Sequence, residues 1–236
     1  QAVLHIVHIN SSTGKSAKTA LAMIRAANSA GLDITTESYP YTAGSTLIES
    51  ALFDDWQSDY SLLQWAETGE RLTEETFQKY RKVGGPVIIH GRSEETNTWL
   101  VAQPDVMVAS DGISFANGPA HPRGAGTFSK ILGEYVREKG VIGLMPALAK
   151  MTIQPARRLE AIAPDMQNKG RIQVGADADI TIFDPDTIID NATYTDSMQF
   201  SSGIEHVLVN GVSVIKNGEL IKDIYPGRPV YGRLKN

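Results

Sequence analysis

The stretch Ala2-Val3-Leu4-His5-Ile6-Val7-His8-Ile9, followed after a gap by Leu32-Asp33-Ile34-Thr35-Thr36, decides the fold. The first run is short and almost continuously apolar, the pattern of a strand buried on both faces as in a parallel sheet. Between the two runs, Leu21, Ile24 and Ala27 recur among small and basic residues and the pattern stops before Gly31, which predicts a helix over 17–30. Strand, helix, strand is the unit from which parallel sheets are built.

The alternation continues outward. Tyr39-Pro40-Tyr41-Thr42-Ala43-Gly44-Ser45-Thr46 is a loop by its Pro, Gly and small polar residues, at the strand end where parallel sheets carry sites. Residues 47–83 read as mostly helical, and Gly84-Gly85-Pro86 then introduces a third strand, Val87-Ile88-Ile89-His90. A helix around 94–102 leads to a fourth strand, Asp105-Val106-Met107-Val108-Ala109-Ser110-Asp111-Gly112, which ends in an acid. Phe128, Ile131, Leu132, Tyr135 and Val136 keep helical spacing, and a further helical stretch spans about 141–160. The expectation is an α/β fold with a parallel sheet, either doubly wound or part of a (β/α) barrel.

From about 169 the texture changes to short strands: Arg171-Ile172-Gln173-Val174, Asp179-Ile180-Thr181-Ile182-Phe183, His206-Val207-Leu208-Val209 and Val212-Ser213-Val214-Ile215. Asn210-Gly211 and Asn217-Gly218 are hairpin signals. Two domains are therefore expected, an α/β part over 1–165 and a small β part over 166–236.

Composition narrows the function. The 236 residues are 42% hydrophobic and 21% charged with a formal net charge of -5, and Lys and Arg are dispersed, so neither nucleic acid nor an anionic membrane is expected as partner. With no cysteine, disulfides and thiolate metal ligands are excluded, while the compartment stays open. No apolar run approaches the roughly 18 residues of a membrane helix. The chain opens at Gln1 directly into a core-type strand, with neither an initiator Met nor a leader pattern, so residues are expected upstream of it.

Several polar residues stand where chemistry could be done. Asp111 ends a buried strand, and reads either as a turn Asp beside Gly112 or as a carboxylate needing a metal or cation. His8 also ends a strand, and reads either as a core histidine or as a metal ligand. His5 is an odd number of positions away and should face the other side as a structural residue. His90 is a weaker candidate, and His206 falls in the β part. In His121-Pro122-Arg123-Gly124, Arg123 reads as a solvated loop residue or as a clamp for a carboxylate. Gly14-Lys15-Ser16 fails as a phosphate loop because Ile9 stands where the first glycine is required.

Taken together, Ile6-Val7-His8, the loop 39–46, Met107-Val108-Ala109-Ser110-Asp111-Gly112, His121-Pro122-Arg123-Gly124-Ala125-Gly126-Thr127-Phe128, Met151-Thr152 with Pro155-Ala156-Arg157-Arg158-Leu159, and Gly175-Ala176-Asp177-Ala178-Asp179-Ile180 running into Phe183-Asp184-Pro185 resemble the amidohydrolase superfamily. Within it they resemble the D-aminoacylase (N-acyl-D-amino-acid deacylase) family. The resemblance implies the later strands and helices of a (β/α)8 TIM-type barrel and the C-terminal strands of a β-sandwich. It implies one or two zinc or other divalent ions, with His8 as the metal-binding His of the fifth barrel strand and Asp111 as the ligand and general base of the eighth. Arg123 would hold the substrate carboxylate, with Tyr39 and His121 lining the pocket. The implied substrate is a small N-acyl amino acid, and the implied partner is an upstream segment of the same protein carrying the remaining ligands; homo-oligomerisation is left open.

The sequence departs from the family where a second histidine ends the sixth strand. Thr36-Glu37-Ser38-Tyr39 contains none, so either Glu37 or Tyr39 takes another role there or His90 substitutes from the next strand, and the number of metal ions is left open. Rival readings are a cyclic-amide or dipeptide hydrolase of the same superfamily, or a non-catalytic half of a degenerate enzyme.

Overall fold

A computed structural model describes residues 3–116 and 118–233. Ala2 of the opening run lies outside them. The chain divides into two compact units, Gln1–Thr127 with Asn191–Phe200, and Phe128–Asp190 with Ser201–Asn236.

In the first unit the elements in chain order are β1 (Val3–Ile6), α1 (Ile9–Ser12), α2 (Ala17–Ser29), β2 (Asp33–Ser38), β3 (Gly44–Leu47), β4 (Leu63–Trp65), α3 (Glu74–Val83), β5 (Pro86–Ile89), α4 (Glu94–Ala102) and β6 (Val106–Val108). Strands β1, β2 and β6 form a parallel sheet in the order β1-β2-β6. Ile6 pairs with Thr36 and Thr36 with Val106, so the C-terminal ends of all three strands share one edge. Leu21 and Ile24 of α2 pack with Ile9, Leu100 and Val106 over this sheet, the apolar stripe anticipated for that helix. The opening strand is less enclosed than its composition suggested. Among the described residues it pairs only with β2, and Val3, Leu4 and Val7 are about half exposed.

The third expected strand goes elsewhere. Pro86–Ile89 pairs antiparallel with both β3 and β4 in a separate sheet ordered β3-β5-β4, so it does not continue the parallel alternation. The stretch 47–83 is correspondingly less helical than expected: apart from short 3-10 turns at Ala51–Phe53 and Tyr60–Leu62, only α3 is helical. Thr73 caps α3 by a reciprocal box with Thr76, and the helix packs on the small sheet through a face-to-face stack of Trp65 on Tyr80, 4.2 Å apart. Phe53, Leu63, Phe77 and Val87 complete that core.

The second unit begins within α5 (Arg123–Lys130), which passes into a π-helix over Ile131–Glu138 that buries Ile131, Leu132 and Tyr135. Helices α6 (Leu144–Met151) and α7 (Ile153–Leu159) follow. The β part is a four-stranded antiparallel sheet of β7 (Ile180–Phe183), β8 (Ile204–Val209), β9 (Val212–Lys216) and β10 (Glu219–Leu220). Asn210 (φ 48°) and Gly211 (φ 76°) form the β8–β9 turn, both in the left-handed region that two-residue hairpins require. The expected strand at 171–174 is not formed. Ile172 and Val174 are 92% and 101% exposed, and no described strand pairs with them.

Candidate active site

Three parallel strands ending at one edge bring the turns that carry His8, Tyr39 and Asp111 to the same side of the sheet. His8 and Asp111 both have left-handed backbone conformations, with φ of 35° and 47°. Such conformations are uncommon outside glycine and collect where a loop is held for a purpose.

Arg123 is the centre of the site. It opens α5, and its side chain is only 3% exposed. Nη1 lies 2.9 Å from Asp111 Oδ2, Nη2 donates to the Ser45 carbonyl at 3.4 Å, and the guanidinium lies over the Tyr39 ring at 4.6 Å. Its Nε is buried without a hydrogen-bond partner. The backbone N–H of Arg123 donates to His121 Nδ1 at 3.0 Å. His121 Nε2 lies 3.0 Å from the Ala43 carbonyl, which can only accept, so the ring carries its proton on Nε2. Burial, and next the nearby Arg123 charge, hold the pKa of His121 well below the usual histidine value. His121 is thus a neutral, fully buried support, edge-on to Tyr41 and Tyr194.

A second guanidinium lies close by. Arg92 Nη1 donates to the Tyr39 hydroxyl at 3.1 Å. Gly44 lets it in, since a Cβ at that position would sit 2.2 Å from Arg92 Nη2.

Other histidines have settled roles. His90 ends β5, where Nε2 lies 2.9 Å from Gln64 Oε1; burial first and Arg71 second lower its pKa to about 4. His5 Nε2 lies 2.9 Å from one oxygen of Glu37, whose other oxygen accepts from the backbone N–H of His8 at 3.4 Å. Glu37 therefore braces the turn carrying His8. His206 accepts from the Asn217 backbone in the four-stranded sheet.

The structure joins Tyr39, Asp111, His121 and Arg123 into one connected cluster. His8 makes no hydrogen bond to that cluster; its Nδ1 lies 2.8 and 2.9 Å from the Ser11 and Ser12 hydroxyls. Among the described residues no three His, Asp or Glu side chains converge as a complete metal site would require. Sequence reading missed Arg92, Ser45 and Tyr194. Arg92 had a usable signal, a charged residue directly after a strand and a glycine, whereas Tyr194 lies 73 residues beyond His121 and had none.

No family model matches the chain. It is 37% identical over 214 residues to an N-acyl-D-glutamate deacylase of Alcaligenes xylosoxydans xylosoxydans, an alignment covering 85% of this chain and 42% of that protein. It is 31% identical over 217 residues to a D-aminoacylase of the same organism, with the same shares covered. Its fold matches the crystal structure of an N-acyl-D-glutamate deacylase from Bordetella bronchiseptica, complexed with zinc and a phosphonate mimic of the tetrahedral intermediate, with a TM-score of 0.76 and 28% identity over 90% of this chain and 47% of that one. The chain spans about two fifths of the length of the curated relatives it matches. On these relationships, the chain belongs to the D-aminoacylase (N-acyl-D-amino-acid deacylase) family of amidohydrolases, matching the C-terminal region of its members.

Proposed function

We propose that the protein hydrolyses the linear amide bond of N-acyl-D-amino acids in a metal-dependent reaction, and that this chain contributes the proton-transfer and carboxylate-binding half of the site. The observation that carries the reading is the pairing of Asp111 with the buried Arg123 at the C-terminal edge of the parallel sheet. On this reading β1, β2 and β6 are later strands of a (β/α)8 barrel, residues 1–165 are its C-terminal part, and residues 166–236 supply the last strands of a β-sandwich.

The donors present suit a divalent ion. His8 Nε2 makes no hydrogen bond among the described residues, while two serine hydroxyls on Nδ1 fix its ring in the way outer groups orient ligating histidines. His8 and Asp111 would hold zinc, which supplies Lewis acidity at the scissile carbonyl and makes water acidic enough to attack near neutral pH. The remaining ligands would come from outside this chain.

Asp111 takes the proton from the attacking water and returns it to the leaving amine. Arg123, locked between Asp111, Ser45 and Tyr39, offers its guanidinium to the substrate's free carboxylate and turns binding energy at that end into alignment of the amide. His121, neutral and fixed through Ala43, holds the backbone from which Arg123 projects. The test is deacylation of N-acyl-D-amino acids by the complete gene product supplied with zinc. Full activity in Asp111→Ala would overturn the mechanism.

A further inference from the structure

Residues 191–200 group with the first compact unit, although the chain on either side of them, Phe128–Asp190 and Ser201–Asn236, forms the second. Most of the segment is exposed, but Ala192, Tyr194 and Ser197 turn inward. A tight turn fixes the corner at Tyr194: the Thr193 N–H donates to the Asp196 carbonyl at 2.9 Å, and the Asp196 N–H donates to the Thr193 hydroxyl at 2.9 Å. Local side-chain-to-backbone bonds of this kind hold a loop without a neighbouring strand.

The contacts of Tyr194 fall on the supports of the candidate active site. Its ring meets His121 edge-on at 5.3 Å, His90 at 4.9 Å and Tyr41 at 6.4 Å, and it packs on the cluster of Ala43, Ala66 and Ile88. Its hydroxyl is hydrogen-bonded to the Thr42 hydroxyl and the Ala43 backbone. Its carbonyl accepts from Gln64 Nε2 at 2.6 Å. Ala43 is also the residue whose carbonyl accepts from His121 Nε2, so Tyr194 holds both ends of that bond. Three residues on, the buried Ser197 Oγ accepts from the Ala120 N–H at 3.1 Å and pins the chain just before His121.

These supports lead to Arg123. His121 Nδ1 accepts from the Arg123 N–H, which only a neutral ring can do, because a protonated imidazole has two donors and no acceptor. Burial is the first cause of the low pKa of both His121 and His90, and the Tyr194 ring lies on both. Loss of that ring would open His121 to water and loosen the backbone from which Arg123 projects.

We propose that Tyr194 is a positioning residue for deacylation: by closing over His121 it fixes the backbone from which Arg123 offers its guanidinium to the substrate's α-carboxylate. The proposal rests on the deacylase reading, and it gives the segment 191–200 a share in aligning the substrate. Misplacing such an anchor by about 1 Å is enough to cost up to ~100-fold in rate.

The test uses the complete gene product with zinc. It compares kcat/KM for N-acetyl-D-glutamate with that for its α-carboxamide analogue, N-acetyl-D-isoglutamine, in wild type, Tyr194→Ala and Tyr194→Phe. Wild type should favour the acid, and Tyr194→Ala should lower the acid-to-amide ratio at least ~10-fold, mainly through KM, because only the acid uses the charge of Arg123. Tyr194→Phe keeps the ring and should keep the ratio within ~3-fold of wild type. A folding defect lowers both terms alike, so a ratio unchanged in Tyr194→Ala overturns the proposal. A ratio lost equally in Tyr194→Phe overturns it too, since the ring on His121 would then be idle. Calorimetric titration of the metal-free protein with the same pair separates this from the deacylase reading. Preferential binding of the acid, lost in Tyr194→Ala, with no turnover by wild type would keep the positioning role and remove the deacylase; no preference for the acid in wild type by either assay removes the positioning role.

Discussion

Asp111 and Arg123 meet at 2.9 Å, yet the arginine is 3% exposed and the aspartate 29%, so the pair bridges a buried anchor and an open face. Arg123→Lys keeps the charge but loses the planar fork that reaches Asp111 and Ser45 together and lies over Tyr39. A charge-assisted hydrogen bond contributes about 1.5–3 kcal/mol, so KM for an N-acyl amino acid should rise roughly 10- to 100-fold. Steady-state kinetics on the complete gene product checks this, and an unchanged KM would detach Arg123 from the substrate carboxylate.

Asp111→Asn preserves shape, and asparagine tolerates the left-handed backbone found there. The fold should survive, as read by circular dichroism, while kcat drops by about 10²- to 10⁴-fold through loss of the proton acceptor. A rise in KM with kcat unchanged would show that Asp111 only binds.

Both His90 and His121 have pKa values below that of an unfolded histidine, His90 near 4 and His121 well depressed, each chiefly through burial. A depressed folded pKa means that the neutral form is favoured by folding, so this stability is present above pH about 6.5 and is lost as pH falls toward 4. Denaturant midpoints should therefore decline between pH 6.5 and 4, and His90→Gln should flatten part of that slope. Midpoints with the same pH slope in both proteins would contradict the assignment for His90.

Gly44→Ala would push a methyl group into the Arg92 guanidinium, the far end of a flexible side chain. The expected cost in stability is small, below about 1 kcal/mol, because that end can swing away. Its hydrogen bond to Tyr39 should be lost, so KM should change more than the unfolding midpoint.

Much of the site was legible because its residues sit where local pattern is strong. Val3–Ile6 and Val106–Val108 are short, mostly apolar runs, and a His or Asp within a few positions of the end of such a run stands out. Pro86–Ile89 shows where that reasoning stops: four apolar residues look alike in a parallel or an antiparallel sheet, and the partners β3 and β4 carry the missing information. Ile172 and Val174 failed for the complementary reason, alternation without a neighbouring strand to pair with. Arg92 belongs to the site through Tyr39 and Gly44, contacts 53 and 48 positions back along the chain, which no local window reports.

Gly112 and Gly124 touch closely enough that a Cβ on Gly112 would lie 3.1 Å from Gly124 Cα, which pinches shut the two ends of the loop between Asp111 and Arg123. With His121 pinned to Ala43 and Ala120 to Ser197, the distance between acid and base is set at the neck of that loop and not along its length. Ile113 and Phe115 also lie against Gly124 and belong to that neck, so it is the stretch beyond Phe115 that can grow, shrink or change character without moving the pair, a ready place for evolution to alter what enters the site while leaving its chemistry alone.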